Sequence, residues 1–278
     1  MNNNIFLSIN ICCYNSSRFI KETIESILIQ KFKDWEIVIV DDGSTDDTEK
    51  IISKYISLGY PITYFYQKNK GYASARNKAI NLSKAKWIVI LDHDDVCEQD
   101  RLFNHYNEII NNPDKKLFFG NCIYFNDNGN FTDKFSVFKK QFSINLRSLN
   151  LKKIFSSNNL INYGCFIPSS TVVFNKNTAQ KIKGFNENYK HISDYDFFFK
   201  FSLLEDIFCS EKTFCFWRSH ESQSSNINII NMNWELNRFY FYIYFDSNIS
   251  FMSKFILFYK HILLFLRLAY YFLKNLIK

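Results

Sequence analysis

The sequence is poor in glycine, and the few glycines that it has stand apart from one another. Seven occur among 278 residues, and no two are spaced as Gly-x-Gly. The chain therefore lacks the glycine-rich loops with which dinucleotide-binding and P-loop proteins cradle phosphates. Gly-x-Ser-x-Gly, His-Glu-x-x-His and Cys-x-x-Cys are missing as well. These absences exclude the common NAD enzymes, P-loop kinases, serine esterases and zinc proteases.

Cysteine spacing and the amino-terminal residues exclude two further classes. The seven cysteines, an odd number, show no paired spacing, and several lie inside apolar runs. This pattern favours buried, reduced thiols over a disulfide framework. No basic segment precedes the first apolar stretch, so the amino terminus does not resemble a signal peptide. We therefore expect a cytosolic protein.

Two acidic clusters are the most informative feature that is present. Each follows an apolar run: EIVIVDDGSTDDT covers 36–48, and WIVILDHDD covers 87–95. Uninterrupted Ile, Val and Leu are typical of strands buried on both faces of a parallel sheet. The carboxyl ends of such strands are where open α/β sheets bind ligands. Because clustered carboxylates repel one another, a nucleotide with its divalent cation is the simplest explanation.

The apolar pattern predicts an α/β fold. The first half should contain four strands separated by helices, at 6–12, 35–40, 62–66 and 87–91. Such alternation is typical of a mostly parallel sheet with crossover helices. Beyond residue 100 the signals are mixed, with helices at 101–111 and 194–204 and strands at 116–125, 170–174 and 213–217. A turn is expected at 126–130, and 131–162 shows no clear pattern.

Six segments resemble motifs of the family 2 glycosyltransferases and stand in the order of that family. They are SINICCYNSSRFIKETIESILIQ, WEIVIVDDGSTDDT, NKGYASARNKAI, WIVILDHDD, GFNENYKHISDYDFFFK and FWRSHESQSS. The resemblance implies a GT-A fold over 1–225, with a Rossmann-like nucleotide-binding half at about 5–110 and an acceptor half at about 111–225. It also implies that a sugar is transferred from a nucleotide-diphosphate donor with inversion at the anomeric carbon.

The resemblance assigns donor-binding roles to the first two motifs. Asp42 would accept a hydrogen bond from the nucleotide base, which suits uracil because uracil offers an N–H donor. Tyr14 would pack near the base, and Cys12 would line the pocket. The alternative for Asp41 and Asp42 is a turn that only caps the following helix.

Two residues of the NKGYASARN segment are further donor-site candidates. Gly71 is expected to permit either a positive φ or a close approach of the backbone. Arg76 is expected to pair either with a carboxylate at a strand end or with a phosphate of the donor. The sequence leaves both alternatives open.

Asp92-His93-Asp94 resembles the DXD motif of the family. The resemblance assigns Asp94 to Mg²⁺ or Mn²⁺, and Asp92 to the ribose or to the metal shell. Asp95 is either an outer ligand or a helix cap, whereas His93 stands at the variable middle position and is not expected to bind metal. His220 matches a family position near the diphosphate and is assigned to the metal or a phosphate, with simple packing as the alternative.

Asp194 is the predicted catalytic base. The segment HISDYDFFFK resembles the acidic pair of the family, whose second acid removes a proton from the acceptor hydroxyl. Ser193 stands in place of the first acid, and Asp196 is the rival base. The alternative is that both aspartates only cap the helix that they begin.

Residues 226–278 are predicted as a helical, basic and aromatic extension. Five cations and no acid give 251–278 a charge of +5, out of +7 for the whole chain. Lys260, Arg267 and Lys274 recur every seven residues and so share one helix face. Their spacing leaves no uncharged run near the ~20 residues that span a bilayer. We predict contact with an anionic membrane surface; packing on the catalytic domain or on a partner, with the lysines in water, is the alternative.

The sequence therefore predicts a cytosolic or peripheral membrane glycosyltransferase that depends on Mg²⁺ or Mn²⁺. A UDP-sugar is the expected donor, and a glycan or lipid-linked acceptor of surface polysaccharide synthesis is the expected partner. Nucleic acid is not, because no recognition motif accompanies the basic residues. A nucleotidyltransferase would want a glycine-rich basic loop after the first strand, which 12–18 lacks. An inactive sugar-nucleotide-binding subunit stays open because of Ser193, although the DXD motif argues against it.

Overall fold

The computed structural model describes residues 5–126, 131–132, 154–221, 229–247 and 249–276. Residues 127–130 of the turn expected at 126–130, and most of the unpatterned segment at 131–162, lie outside these ranges. Parts of the last acceptor-side motif and of the carboxyl-terminal tail also lie outside them.

The described residues form one sheet flanked by helices on both faces. Its strands are β1 Leu7–Cys13, β2 Trp35–Asp41, β3 Ile62–Tyr66, β4 Trp87–Ile90, β5 Val96–Cys97, β6 Leu117–Asn126, β7 Phe131–Thr132, β8 Ile154–Phe155, β9 Val173–Asn175 and β10 Ile207–Ser219. The helices are α1 Ile20–Leu28, α2 Thr48–Ser57, α3 Tyr72–Leu82, α4 Arg101–Asn111, α5 Ser157–Tyr163, α6 Lys176–Lys181, α7 Ser193–Leu204, α8 Ile229–Tyr244 and α9 Phe251–Leu276. A short 3-10 turn spans Ser169–Thr171.

The sheet is parallel in its first half and mixed in its second, as the sequence predicts. The strand order is β3-β2-β1-β4-β9-β6-β10-β5, with β7 on β6 and β8 on β10. The first four strands are all parallel, whereas β9 runs antiparallel to both β4 and β6. Because β2 and β4 lie on opposite sides of β1, the strand order reverses there. Ligands bind at such a reversal in open α/β sheets.

Burial explains why the first half of the sheet forms as it does. Strands β1, β2 and β4 are buried along their whole length, as their apolar runs indicate. Helix α1 packs Ile20, Ile24 and Ile27 onto one face of the sheet. The opposite face carries a second apolar cluster, to which α3, α5, α7, α8 and α9 contribute. Removal of this apolar surface from water is the main force that holds the layers together.

The second half differs from the prediction at β10, which is longer than the predicted strand at 213–217. Its ladder with β6 shifts register between Cys209 and Thr213, and again before Cys215. Exposed Glu211 and Lys212 lie at this irregularity and interrupt the apolar pattern. On the neighbouring strand, a Cβ at Gly120 would lie 2.6 Å from the Phe214 ring. The bulge therefore concealed the strand from a simple periodicity analysis.

Helices α8 and α9 pack against each other and form what we call the C-terminal hairpin. Leu257, Leu264 and Leu268 of α9 are buried. Lys260, which was predicted to project toward a membrane or into water, instead points into the protein. Its Nζ atom donates hydrogen bonds to the carbonyl oxygens of Ile161 and Asn162 at the end of α5. The heptad spacing predicted that this lysine would lie on an outward face, and the structure places it on the inner side of α9.

The outward side of the hairpin is apolar and aromatic. On α9 its exposed side chains are Phe251, Met252, Phe255, Phe258, Tyr259, Ile262, Leu263, Phe265 and Leu266. Among the described residues, no helix is both long enough and apolar enough to cross a membrane.

Candidate active site

The loops that follow β1 and β2 hold each other at the edge of the sheet. The Asn15 amide donates to Ser44 Oγ at 2.8 Å, and the Thr45 amide donates to Asn15 Oδ1 at 2.8 Å. Asn15 has a positive φ of 49°, which asparagine tolerates better than most residues. Tyr14 is 49% exposed at the mouth of this pair of loops, where a planar ligand can reach its ring.

Asp41 and Asp42 have different roles. Asp41 is buried, and its carboxylate accepts hydrogen bonds from the Ser44 amide at 2.8 Å and the Tyr64 hydroxyl at 3.0 Å. These bonds within the fold make Asp41 structural. Asp42 faces the loop that follows β3. Neither aspartate caps α2, which begins at Thr48 with Asp47 at its N-cap, although Asp41 does close the preceding turn through the Ser44 amide.

Asp42 organises the loop at 67–71. Its carboxylate accepts from Gln67 Nε2 at 2.7 Å, from the Lys70 amide at 2.9 Å and from the Gly71 amide at 2.8 Å. Gly71 has a φ of +91°, and a Cβ there would meet no heavy atom within 4 Å. The positive φ is by itself sufficient to explain this glycine.

Arg76 joins the two halves of the site. Its guanidinium donates to Asp92 Oδ1 at 3.2 Å and to Asp194 Oδ1 on α7. The ring of Tyr72 lies 4.1 Å and that of Phe185 5.0 Å from its central carbon. Arg76 is only 3% exposed. Of the two alternatives that the sequence left open, the structure shows pairing with carboxylates.

Asp194 and Asp196 point to different environments. The second oxygen of Asp194 accepts a hydrogen bond from Ser169 Oγ at 2.5 Å, and its side chain is 31% exposed. Asp196 is buried and forms an ion pair with Lys200 at 2.9 Å. Burial raises the pKa of Asp196, and Lys200 opposes that rise. Of the two aspartates, Asp194 is the one that the structure brings to Arg76.

The DXD loop places Asp94 beside His220. The distance from Asp94 Oδ2 to His220 Nε2 is 2.9 Å, although 126 residues separate them in the sequence. Thr23 Oγ1 of α1 lies 2.9 Å from the carbonyl oxygen of His93 and 2.8 Å from that of Asp95, so its single O–H can donate to either. The His93 ring lies 3.2 Å from the carbonyl oxygen of Cys12. Helix α1 and strand β1 therefore fix the backbone that carries Asp94.

Asp95 lies beneath the loop and does not cap a helix, since α4 begins at Arg101. It is fully buried and accepts a hydrogen bond from the Arg218 amide at 3.0 Å. Arg218 Nε donates to the Asp94 carbonyl at 2.9 Å, and its guanidinium also pairs with Glu22. Arg218 therefore stabilises the loop from inside the protein. From the sequence alone, a charge on the surface was equally consistent with this position.

Burial and neighbouring carboxylates raise the pKa of two aspartates of this loop, Asp92 and Asp95. Burial, then Asp94 and Asp194, hold the pKa of Asp92 well above its usual value. Burial, then Asp94 and Asp92, do the same for Asp95. A bound cation would relieve this repulsion and favour the ionised carboxylates. Burial also raises the pKa of the Cys12 thiol to about 12, so Cys12 contributes a neutral wall.

Asp94 and His220 fit a divalent cation as a pair of ligands. Among the described residues, no three His, Cys, Asp or Glu side chains converge as a ready-made metal site. Mg²⁺ is commonly held by one or two carboxylates together with phosphates and waters, and imidazole also binds transition metals such as Mn²⁺. The arrangement therefore suits a cation that is completed by the ligand and not one enclosed by protein.

Asn77 is a site residue that the sequence analysis missed. Its Oδ1 accepts from the Phe185 amide at 2.8 Å, and its Nδ2 donates to the Phe185 carbonyl and to Glu187 Oε1, both at 2.9 Å. Gly184 has a φ of +64°, and a Cβ there would lie 2.3 Å from Asn77 Oδ1. Position next to Arg76 was the available signal. Asn77 fastens α3 to the loop that leads toward Asp194.

The strand order, with the acidic loop at the strand reversal, is that of the GT-A fold. Over 91% of this chain and 70% of the other, the fold matches S. aureus TarS 1–349 in complex with UDP-GlcNAc, with a TM-score of 0.70 and 20% identity. A mannosyltransferase from Pyrobaculum calidifontis, PcManGT in complex with GDP-Man and Mn²⁺, gives a TM-score of 0.68 and 17% identity over 92% and 68% of the two chains. At these identities the likeness establishes the fold.

The family itself is shown by sequence. Residues 8–208 match the model of Glycosyl transferase family 2, and the chain belongs to that family. It is 32% identical over 229 residues to an uncharacterized glycosyltransferase of Rickettsia prowazekii, covering 81% of this chain and 69% of the relative. It spans only 43% of a longer TarS chain.

Proposed function

We propose that this glycosyltransferase moves a hexosyl or N-acetylhexosaminyl group from a nucleotide-diphosphate donor, most simply UDP-linked, to an acceptor hydroxyl with inversion. One observation carries the proposal: Arg76 links Asp92 of the DXD loop to Asp194 of the acceptor half. A carboxylate suited to proton transfer therefore lies beside the loop that would hold the donor diphosphate.

The nucleotide base would bind between Tyr14 and Asp42. The Asp42 carboxylate accepts three hydrogen bonds from the loop at 67–71. A carboxylate offers about four acceptor positions, which leaves one for the N–H of uracil. The exposed Tyr14 ring would stack on the base, and the neutral Cys12 thiol would line the pocket. Gly71, whose amide binds Asp42, would keep the loop in the shape that the base requires.

Asp94 and His220 would hold Mg²⁺ or Mn²⁺, with Asp92 and Asp95 stabilising the surrounding charge. When bound, the cation supplies positive charge that stabilises the departing diphosphate. The raised pKa values of Asp92 and Asp95, to which burial contributes most and the Asp94 carboxylate next, support this assignment. PcManGT, a structural neighbour, is a complex with Mn²⁺.

Asp194 would act as the base. Its side chain is 31% exposed, so an acceptor hydroxyl can approach it. The hydroxyl proton passes to the Asp194 carboxylate while the oxygen attacks the anomeric carbon from the side opposite the diphosphate. One C–O bond forms as the bond to the phosphate oxygen breaks. Arg76 and Ser169 hold the carboxylate in place during this step.

A panel of UDP- and GDP-sugars tests the function. Donor turnover is measured with Mn²⁺ and again with EDTA, and the anomeric configuration of the product is read by NMR. We expect metal-dependent turnover of a UDP-sugar and an inverted product. Nucleotide binding without sugar release would identify an inactive subunit, and release of pyrophosphate from a nucleoside triphosphate would identify a nucleotidyltransferase. Retention of the donor configuration would contradict the role of Asp194.

We further propose that residues 1–225 form the catalytic domain and that the extension at 226–278 brings it to the cytosolic face of a membrane. The exposed aromatic side of the C-terminal hairpin, with Phe255 and Phe258 at its centre, supports this peripheral contact. Aromatic and leucine side chains on one helix face favour the lipid interface. Lipid-linked acceptors, as in capsule or lipopolysaccharide synthesis, would meet the enzyme there.

Liposome co-sedimentation tests the membrane contact. Substitution of Phe255 and Phe258 by serine should shift the protein to the supernatant with neutral and with anionic liposomes. Phe103→Ser, an exposed phenylalanine of α4, is the matched control. Binding only to anionic liposomes, unchanged by the two substitutions, would assign the contact to the cations; no sedimentation of the unmodified protein would contradict the proposal.

A further inference from the structure

We infer that Glu235, in the C-terminal hairpin and beyond the family-matched residues 8–208, is a positioning residue for Asp194. The inference rests on the proposed role of Asp194 as the base. Glu235 lies on α8, and its carboxylate reaches the loop that immediately precedes α7. Asp194 is the second residue of α7, so the shape of this loop sets where its carboxylate lies.

The Glu235 carboxylate satisfies three successive backbone amides. Oε1 accepts from the Lys190 amide at 2.9 Å, and Oε2 accepts from the amides of His191 at 2.8 Å and Ile192 at 3.2 Å. The residue that caps α7, Ile192, makes no side-chain capping bond of its own. Unpaired amides and the positive end of a helix dipole favour a carboxylate at this place. Glu235 supplies it from a distant part of the chain.

Glu235 adds negative charge just before α7, whose first turn already carries Asp194 and Asp196. The chain has Ser193 where the acidic pair of the family has its first acid. Ser193 is buried and brings no charge. Because charge-assisted hydrogen bonds are roughly twice as strong as neutral ones, the Glu235 contacts hold 190–192 more firmly than a neutral residue would.

Phe239, one turn after Glu235, adds aromatic contacts to the same region. It is fully buried, and positions four apart on a helix share a face. Its ring centroid lies 6.3 Å from that of Tyr189, 4.8 Å from that of Tyr195 and 5.4 Å from that of Phe199. Helix α8 therefore contacts the chain on both sides of Asp194, before it through Tyr189 and after it through Tyr195.

A second contact anchors the same turn to α9. Tyr195 Oη donates to the Leu160 carbonyl of α5 at 2.7 Å. Lys260 of α9 donates to the next two carbonyls, those of Ile161 and Asn162. Both helices of the hairpin therefore support the turn that carries Asp194. Helix α8 contacts this turn directly, whereas α9 contacts α5, which in turn binds Tyr195.

These contacts predict a specific effect on the kinetics. Loss of the Glu235 carboxylate should let the loop at 190–192 shift and turn the Asp194 carboxylate away from Arg76 and Ser169. Asp42 and Asp94 lie on other elements and keep their hydrogen bonds. The damage should therefore fall on sugar transfer and spare donor binding.

The test compares Glu235→Gln and Glu235→Asp with Glu211→Gln, a matched substitution at an exposed position of the acceptor half. We expect Glu235→Gln to lower kcat for transfer about 10- to 100-fold, the cost of a misplacement near 1 Å, with the Kd and KM for the donor unchanged. Glu235→Asp should retain more activity than the Gln variant, and Glu211→Gln should resemble the unmodified enzyme. The Asp variant decides the question where the Gln variant does not fold.

A double-mutant cycle separates positioning from a general loss of structure. If Glu235 acts through Asp194, Glu235→Gln should add no further loss of transfer in an Asp194→Asn background. Losses that multiply, or a fall in donor affinity equal to the fall in kcat, would overturn the inference. Full transfer by Glu235→Gln alongside an inactive Asp194→Asn would overturn it while leaving the base intact. Full transfer by Asp194→Asn would instead remove the base assignment, and the inference with it.

Discussion

The part of the site that would receive the nucleotide base (the base end) and the part that would transfer the sugar (the reaction end) are held by different kinds of contact. At the base end, Tyr14, Asp42 and the loop at 67–71 are fixed by contacts among the first 71 residues, as between Asn15 and Ser44. At the reaction end, Asp94 meets His220, and Asp194 meets Arg76 and Ser169. The base end is a local motif, whereas the reaction end exists only after the whole sheet has formed.

The sharpest way to test this comparison is to remove the proposed catalytic base, Asp194. Asp194→Asn keeps the shape of the side chain but cannot take a proton, so transfer should fall by about 10²- to 10⁴-fold. Donor binding, which depends on the other end, should stay within about twofold by calorimetry. Unchanged transfer would reassign the base, and a parallel loss of donor binding would show that the two ends are not separable.

The opposite result is expected from the cation ligand. Asp94→Ala removes one of the two proposed protein ligands of the cation and the partner of His220. Metal-dependent nucleotide binding should weaken by about 10- to 100-fold, and turnover should be lost together with it. Isothermal titration with Mn²⁺ present and absent measures the effect. Thr23→Val, which alters only the support of the loop backbone, should weaken binding less; equal binding with and without metal in the unmodified enzyme would contradict the assignment.

Substitutions at two glycines compare the junction between the two halves, at Gly184, with an isolated turn, at Gly59. Gly184→Ala forces a Cβ onto Asn77 and strains a φ of +64°, whereas Gly59→Ala strains a φ of +84° with nothing within 4 Å. We expect losses in the free energy of unfolding of about 2–3 kcal/mol and about 1 kcal/mol respectively. Urea denaturation measures both. Equal losses would show that the contact with Asn77 yields easily and does not define the junction.

The last prediction concerns Lys260 and depends on pH. Burial lowers its pKa from 10.5 to about 8, so between these values the unfolded chain binds more protons than the folded one. The stability of the unmodified protein relative to Lys260→Met should therefore rise as the pH increases through this window, by on the order of 1–2 kcal/mol. Urea denaturation at both limits, with Lys254→Met as control, checks the sign. A difference that falls with pH would show that the two carbonyls keep Lys260 charged.

The same contrast explains how much could be predicted from the sequence. The parallel half follows from apolar runs that burial satisfies, and the runs of β2 and β4 lead into the aspartates of the site. Strand β10 was underestimated because the exposed Glu211 and Lys212 at its bulge break the apolar pattern. Helix α5 lies in a segment without a clear period.

The site could be predicted where neighbouring residues of one motif form it. It could not be predicted where a residue distant in the sequence determines which side chain is used. Asp194 and Asp196 differ by two positions on a helix, so they must face different directions, but only the fold shows which one meets Arg76. A heptad pattern likewise grouped Lys260 with other cations without showing which face is inside. Glu235 sits in an aromatic helix with no motif, and its role depends on three amides more than forty residues away.

The pairing of Arg76 and Asn77 with the chain beyond residue 180 limits how such enzymes can be recombined. A chimaera that crosses over between the two halves takes the arginine and asparagine from one parent, and takes Gly184 and Asp194 from the other. Only parents that match at all four positions would give a hybrid with a neutralised, correctly seated aspartate. The boundary between the halves is therefore a poor place to exchange specificity, even though the motifs on either side look modular.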